Sequence, residues 1–179
     1  EESPDEWWTG TIRAVRACLA SPGVSADRIV SVGVCGMVPA IVLLDSNNQP
    51  IRPSIQQNDA RAGAEIDELK MEIGVERFFA ITGSTPSQQS VGPKLLWLQK
   101  FEPDNWLKVS KIIGSYDYIN YCLSGKINIE QNWALESGLF DLNHRDWSAE
   151  LLAVCGISQD IFAPVRQAKR DRVDSHALG

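Results

Sequence analysis

A chain of 179 residues with 44% apolar side chains is long enough for one sizeable α/β domain with a core of its own. Seventeen Lys and Arg against 23 Asp and Glu give a net charge of -6, with both signs mixed along the length. No basic face is available to displace counterions from phosphates, which argues against a nucleic-acid role, and no apolar run nears the roughly 20 residues that a bilayer requires.

The four cysteines, Cys18, Cys35, Cys122 and Cys155, fall in no spacing suited to a metal. Free thiols, a cytoplasmic location and no membrane contact are the expectation. The chain opens on Glu1 instead of Met and runs directly into a helix cap, so we expect a piece of a longer polypeptide.

In chain order, Ser3-Pro4-Asp5-Glu6 has the form of a capping box with Pro4 at the first helical position. The helix it opens carries Trp7, Trp8, Ile12, Val15, Cys18 and Leu19 at spacings of three and four, which predicts a buried stripe ending at Ser21-Pro22-Gly23. Two apolar runs follow, Ile29–Val34 and Ile41–Leu44, and both read as strands buried on two faces. Between them lies a small-residue corner, Cys35 to Ala40, where Gly36 and Ala40 leave room for close backbone approach. The corner reads either as a tight turn in the core or as a ligand-facing edge.

Arg61 to Ile73 has helical spacing and an acidic outer face, with Asn58 or Asp59 as its expected N-cap. A helix start there would favour an anionic or hydroxyl-bearing ligand, although capping alone explains both residues. Glu76–Ile81 predicts a short helix broken at Thr82-Gly83. The uncharged loop Ser84–Gly92 either supplies neutral hydrogen-bonding groups, Gln88 and Gln89 foremost, to a polyhydroxyl ligand or is an ordinary surface loop. Pro93 starts a helix on which Lys94 reads as a solvated residue.

Further on, a short helical turn at Trp106 leads into a strand over Val109–Ile113, and a helix covers Tyr116–Leu123. A strand around Ile127–Ile129, a connecting segment Glu130–Ser137, a strand over Gly138–Leu142 and a helix over Ala149–Cys155 complete the domain. The charged stretch from Gln167 to Gly179 reads as a surface segment or a linker.

No GxGxxG, GxxxxGK[ST], GxSxG or HExxH motif is present, and His144 and His176 have no partners in sequence. Hydrolase triads and zinc sites are therefore unsupported.

The order of landmarks resembles the N-terminal domain of the FGGY carbohydrate kinases, with their xylulokinase-like and glycerol kinase-like branches. The matching pieces are Pro4-Asp5-Glu6-Trp7-Trp8, Ile29 to Gly36 leading to Leu43-Leu44-Asp45, Asn58-Asp59-Ala60-Arg61 and Thr82-Gly83. They continue through Pro93 to Leu98, Asp117-Tyr118, Leu123-Ser124-Gly125, Leu139-Phe140-Asp141 and Asp146-Trp147-Ser148. The resemblance implies an α/β fold of the ribonuclease H-like, actin-like ATPase type, here incomplete, with a mixed sheet flanked by helices. It places residues 1–165 in part of the N-terminal sugar-binding domain and makes residues 166–179 a surface segment or the start of a linker toward a missing C-terminal domain.

The implied activity is ATP-dependent phosphorylation of a neutral pentulose or polyol, with Mg²⁺ as the metal and the remainder of the polypeptide as a necessary partner. A homodimer stays open. Met37, Val38 and Pro39 match the family position that contacts the sugar, and Gln89 matches one that contacts a polyol. Asn58, Asp59 and Arg61 match a motif beside that pocket, in which Arg61 either contacts substrate or serves structure alone.

Two departures obscure the substrate. Met37-Val38-Pro39-Ala40 stands where one branch carries Gln-Met-His-Gly and another an Arg-Glu pair, and Gln57 stands where Trp is common. The phosphate-binding Asp-Gly-Thr loop and the Gly-rich loop bearing the general base, an Asp, do not occur in these residues. This chain alone is therefore expected to be inactive. A non-catalytic sugar-binding or regulatory module of the same fold is the alternative, and an unrelated α/β enzyme is a weaker third.

Overall fold

A computed structural model of the chain describes residues 1–166, so the predicted surface segment or linker lies, beyond Arg166, outside the described residues. Helix α1 spans Pro4–Leu19, as the capping box requires: Ser3 Oγ accepts a hydrogen bond from the Glu6 amide at 3.4 Å, and Pro4 sits in the first turn. Its start is fastened by the Tyr118 hydroxyl, which donates to Asp5 Oδ1 at 2.9 Å. The predicted stripe is only half-buried. Trp7 and Trp8 pack against the core, whereas Cys18 is exposed.

The expected strand at Ile29–Val34 does not form. The segment takes no regular secondary structure and is largely exposed, with Val30 95% accessible and only Val34 half-buried, and among the described residues no backbone hydrogen bond joins Val30–Gly36 to another strand. Its β-branched composition favours an extended chain, but a strand also needs a partner's amides and carbonyls.

The second run does form a strand, β1 (Val42–Leu44), fully buried and paired antiparallel with β2 (Lys111–Ile113) in the register Val42↔Ile113 and Leu44↔Lys111. Instead of one mixed sheet, the described residues carry three two-stranded pairs. The others are β3 (Ile129–Glu130) with β6 (Val165–Arg166), parallel, and β4 (Phe140–Asp141) with β5 (Asp146–Trp147), antiparallel.

Helices α2 (Gly63–Ile73), α3 (Val75–Thr82) and α4 (Val91–Phe101) pack over one side, contributing Leu69, Phe78, Leu95 and Leu98 to the core. The chain continues through α5 (Pro103–Trp106) and α6 (Ser115–Ser124) to α7 (Gln131–Glu136) and α8 (Ala149–Val154). Glu130–Ser137 is thus a short helix and not a plain connection. Its N-cap is the Glu130 carboxylate, which accepts from the Asn132 amide at 2.8 Å, and its anchor is the fully buried Trp133.

The junction between β2 and α6 is closely packed. Asp117 accepts the Gly114 amide at 3.0 Å on one carboxylate oxygen and the Glu130 amide at 2.9 Å on the other, tying α6 to β3. Burial raises its pKa to about 7. A Cβ on Gly114 would stand 2.5 Å from Trp133 Cδ1 and 2.8 Å from Asp117 Oδ2. Gly114→Ala is therefore expected to cost about 1–3 kcal/mol, the usual penalty of overpacking. Chemical denaturation of this chain measures it, and a loss below about 0.5 kcal/mol would show that Trp133 is free to move.

Candidate functional site

Backbone pairing brings the two predicted site segments together. Ile41 and Ile55 exchange both of their hydrogen bonds, at 2.9 and 3.2 Å, each residue almost wholly buried. The corner Met37–Ala40 runs directly into Ile41, and the loop Gln56–Arg61 runs directly out of Ile55. The two segments therefore share one origin.

The corner is braced from behind. The Val38–Pro39 peptide is cis. Ser115 Oγ donates to the Met37 carbonyl at 2.8 Å, and the Trp133 indole N–H donates to the Ala40 carbonyl at 2.8 Å. A Cβ on Gly36 would meet Ser115 Oγ at 3.1 Å, so the room foreseen at that glycine is needed for this approach. Both carbonyls that flank Val38-Pro39 are engaged with the protein. Pro39 is buried, Val38 half-buried and Met37 57% exposed, so the corner presents an apolar surface with no charge.

The loop is pinned at three points. Lys94, only 1% exposed, donates from Nζ to the carbonyls of Gln56 at 2.8 Å and Gln57 at 2.9 Å. Gln88 Nε2 donates to the Asn58 carbonyl at 2.9 Å. The Arg61 guanidinium stacks over Trp97, one turn beyond Lys94 on α4, at 4.8 Å from the ring centroid. The reading of Lys94 as a solvated residue is thus corrected. Its neighbours contain the missed signal: Val91, Lys94, Leu95 and Leu98 lie at i, i+3, i+4 and i+7, one buried stripe.

The expected caps are also corrected. Helix α2 begins at Gly63 with Ala62 as N-cap, and neither Asn58 nor Asp59 caps it. Asp59 instead accepts from the Arg61 backbone N–H at 3.0 Å and from its Nε and Nη2 at 2.9 and 2.8 Å. These bonds to Arg61 hold the Asp59 carboxyl far below its ordinary range, at about 2. Arg61 also pairs with Glu1. A carboxylate so engaged is a poor proton acceptor, which leaves Asp59 a shaping role. Burial pushes Lys94 down to about 8, opposed by Asp59 and reinforced by Arg61.

Asn58 and Gln89 are exposed. Gln88, the neighbour of Gln89, is the residue tied to the loop, while the Gln89 backbone N–H donates to Ser87 Oγ at 3.2 Å. Two surface hollows lie elsewhere, about 410 Å³ beside Gln131, Phe140 and Arg145 and about 550 Å³ beside Asp5, Thr9 and Arg13. Neither corner nor loop contributes to the lining of these two hollows. Among the described residues no group of three or more His, Cys, Asp or Glu side chains is placed to hold a metal ion, and no helix is long and apolar enough to cross a membrane.

The Asp59–Arg61 pair sets a pH dependence. Because the folded pKa lies below the ordinary value, the pair contributes its full stability above about pH 4, and that contribution is lost as pH falls toward about 2. Asp59→Asn is expected to lower stability by on the order of 1–2 kcal/mol at pH 7. The gap between the two proteins should close between pH about 4 and about 2 in thermal melts; a gap that stays constant across that window contradicts the pairing.

The profile described as the N-terminal domain of the FGGY family of carbohydrate kinases matches residues 1–173. The xylulose kinase of Klebsiella pneumoniae is 32% identical over 160 residues, which are 89% of this chain and 32% of that protein. The autoinducer-2 kinase of Salmonella typhimurium is 32% identical over 163 residues, 89% of this chain and 30% of its own. The crystal structure of xylulose kinase from Rhodospirillum rubrum superposes with a TM-score of 0.83 at 40% identity, covering 93% of this chain and 35% of that one. The chain thus spans about a third of the length of these relatives. It belongs to the FGGY family of carbohydrate kinases.

Proposed function

We propose that this chain is the acceptor-side wall of an ATP-dependent sugar kinase. In this reading, Met37, Val38, Pro39, Asn58, Asp59, Arg61 and Gln89 line or shape the place where a neutral pentulose or polyol lies. The observation that carries it is the shared origin of corner and loop at the Ile41–Ile55 pair, within a chain that matches the sugar-kinase family over most of its length. The relatives include a xylulose kinase and an autoinducer-2 kinase, and phosphorylation of the sugar xylulose by the first supports the same reading. The ribonuclease H-like, actin-like type of fold is part of this reading.

The wall's chemistry favours an uncharged acceptor. The exposed groups are the amides of Asn58 and Gln89 and the apolar Met37, while the charged pair Asp59–Arg61 is satisfied internally. Neutral amides offer both donors and acceptors to hydroxyl groups and supply no counter-charge for a carboxylate. Asp59 is not the base that takes the acceptor's proton. In this reading that base, and the groups that hold the nucleotide phosphates and Mg²⁺, belong to the rest of the parent polypeptide; among the described residues no group of three or more His, Cys, Asp or Glu is placed to hold a metal, and Asp59 is engaged by Arg61. Alone, the chain binds without turnover.

Two measurements test this. The full-length parent, given a panel of ketoses and alditols, should release ADP in a sugar-dependent way; sugar binding without ADP release would indicate a non-catalytic module, and neither would end the sugar reading. Asn58→Ala and Gln89→Ala should each raise the sugar KM about tenfold, the loss of one good hydrogen bond, and leave the ATP KM within about twofold. Equal changes in both constants would remove these residues from the acceptor side.

A further inference from the structure

Lys94 carries an observation that the family resemblance does not explain. An ammonium buried in the apolar stripe of α4 is costly, and here its hydrogen bonds go to two neutral carbonyls. An apolar side chain of similar volume would fill the stripe without that cost. What Lys94 supplies is direction, because it draws the successive carbonyls of Gln56 and Gln57 toward one buried point. The Gln56 carbonyl also accepts the Asp59 amide at 3.2 Å, closing a turn over residues 56–59. Asn58 is left exposed at the apex of that turn.

We propose that Lys94 is a positioning residue for the sugar acceptor: by gathering the Gln56 and Gln57 carbonyls it sets the turn that presents Asn58. This rests on the acceptor-wall reading above. Trp97 and Gln88 fasten the far side of the loop through Arg61 and the Asn58 carbonyl, so the ammonium is the contact that controls the near side, next to the corner. Lys94 touches no substrate in this scheme. It acts through the backbone of residues 56–59.

The experiment uses the full-length parent with Lys94→Met, which keeps the apolar stem and removes the donors, and Lys94→Arg, which keeps charge and donors. Lys94→Met is expected to raise the sugar KM at least about tenfold with the ATP KM within about twofold, and Lys94→Arg to recover part of the loss. Backbone amide exchange at Asp59 and Arg61 should accelerate about tenfold or more in Lys94→Met, with exchange in β1 and α6 unchanged. Should Lys94→Met fold poorly, Lys94→Arg carries both readouts: a partial rise in the sugar KM with faster exchange at Asp59 and Arg61 supports the assignment, and wild-type values of both overturn it.

Unchanged exchange at Asp59 and Arg61 in Lys94→Met overturns the proposal, as does a parallel rise of both KM values. If the wild-type parent shows no sugar-dependent ADP release, the kinase reading fails by itself, and the exchange measurement still decides whether Lys94 holds the turn.

Discussion

The reciprocal pair of hydrogen bonds between Ile41 and Ile55 is the constraint on which the candidate site depends. Both residues are about 1% exposed, so water does not compete for these bonds, and losing them would leave four buried backbone groups unsatisfied. Chain continuity does the rest. Whatever precedes Ile41 and whatever follows Ile55 must emerge side by side, and those are the corner and the loop. Side chains from other elements brace one or the other, Ser115 and Trp133 behind the corner and Lys94 and Gln88 beneath the loop.

Much of the fold was legible because it is decided locally. The Ser3 cap, the helices over Val75–Thr82 and Ser115–Ser124 with Gly83 and Gly125 in the left-handed region after them, and the pairing strands at β1 and β2 all follow from caps, breakers and apolar runs. What could not be read is decided by partners far away in sequence. Ile29–Val34 has the composition of a buried strand, yet composition cannot say whether a neighbour's backbone stands alongside. Helix α7 has only six residues, too few for a periodic signal, and forms around the burial of Trp133.

The site divided along the same line. Its segments were visible in sequence, but the state of each charge was not. Lys94 reads as a surface residue by type and as a core residue by spacing, and spacing was the better guide. Asp59 reads as a helix cap, but its carboxylate does better on the Arg61 fork and backbone amide, where both oxygens are used at once. A local bidentate partner outcompeted the helix start. The family resemblance located these residues without saying which faced solvent.

A wall of this kind bears on how binding and rate are divided in such an enzyme. Contacts to hydroxyl groups remote from the reacting oxygen are made equally in the ground and transition states, so by themselves they lower KM and leave the chemical step alone. They become catalytic only when they hold the acceptor at a fixed place relative to a phosphoryl group held by something else. Rigidity is what the wall must then contribute. In the loop this falls to backbone groups, the carbonyls of Gln56 and Gln57 held by Lys94 and that of Asn58 by Gln88. Side chains at the surface of such a frame can vary while the frame stays the same, and the apolar corner Met37-Val38-Pro39-Ala40 sits on a frame of this kind.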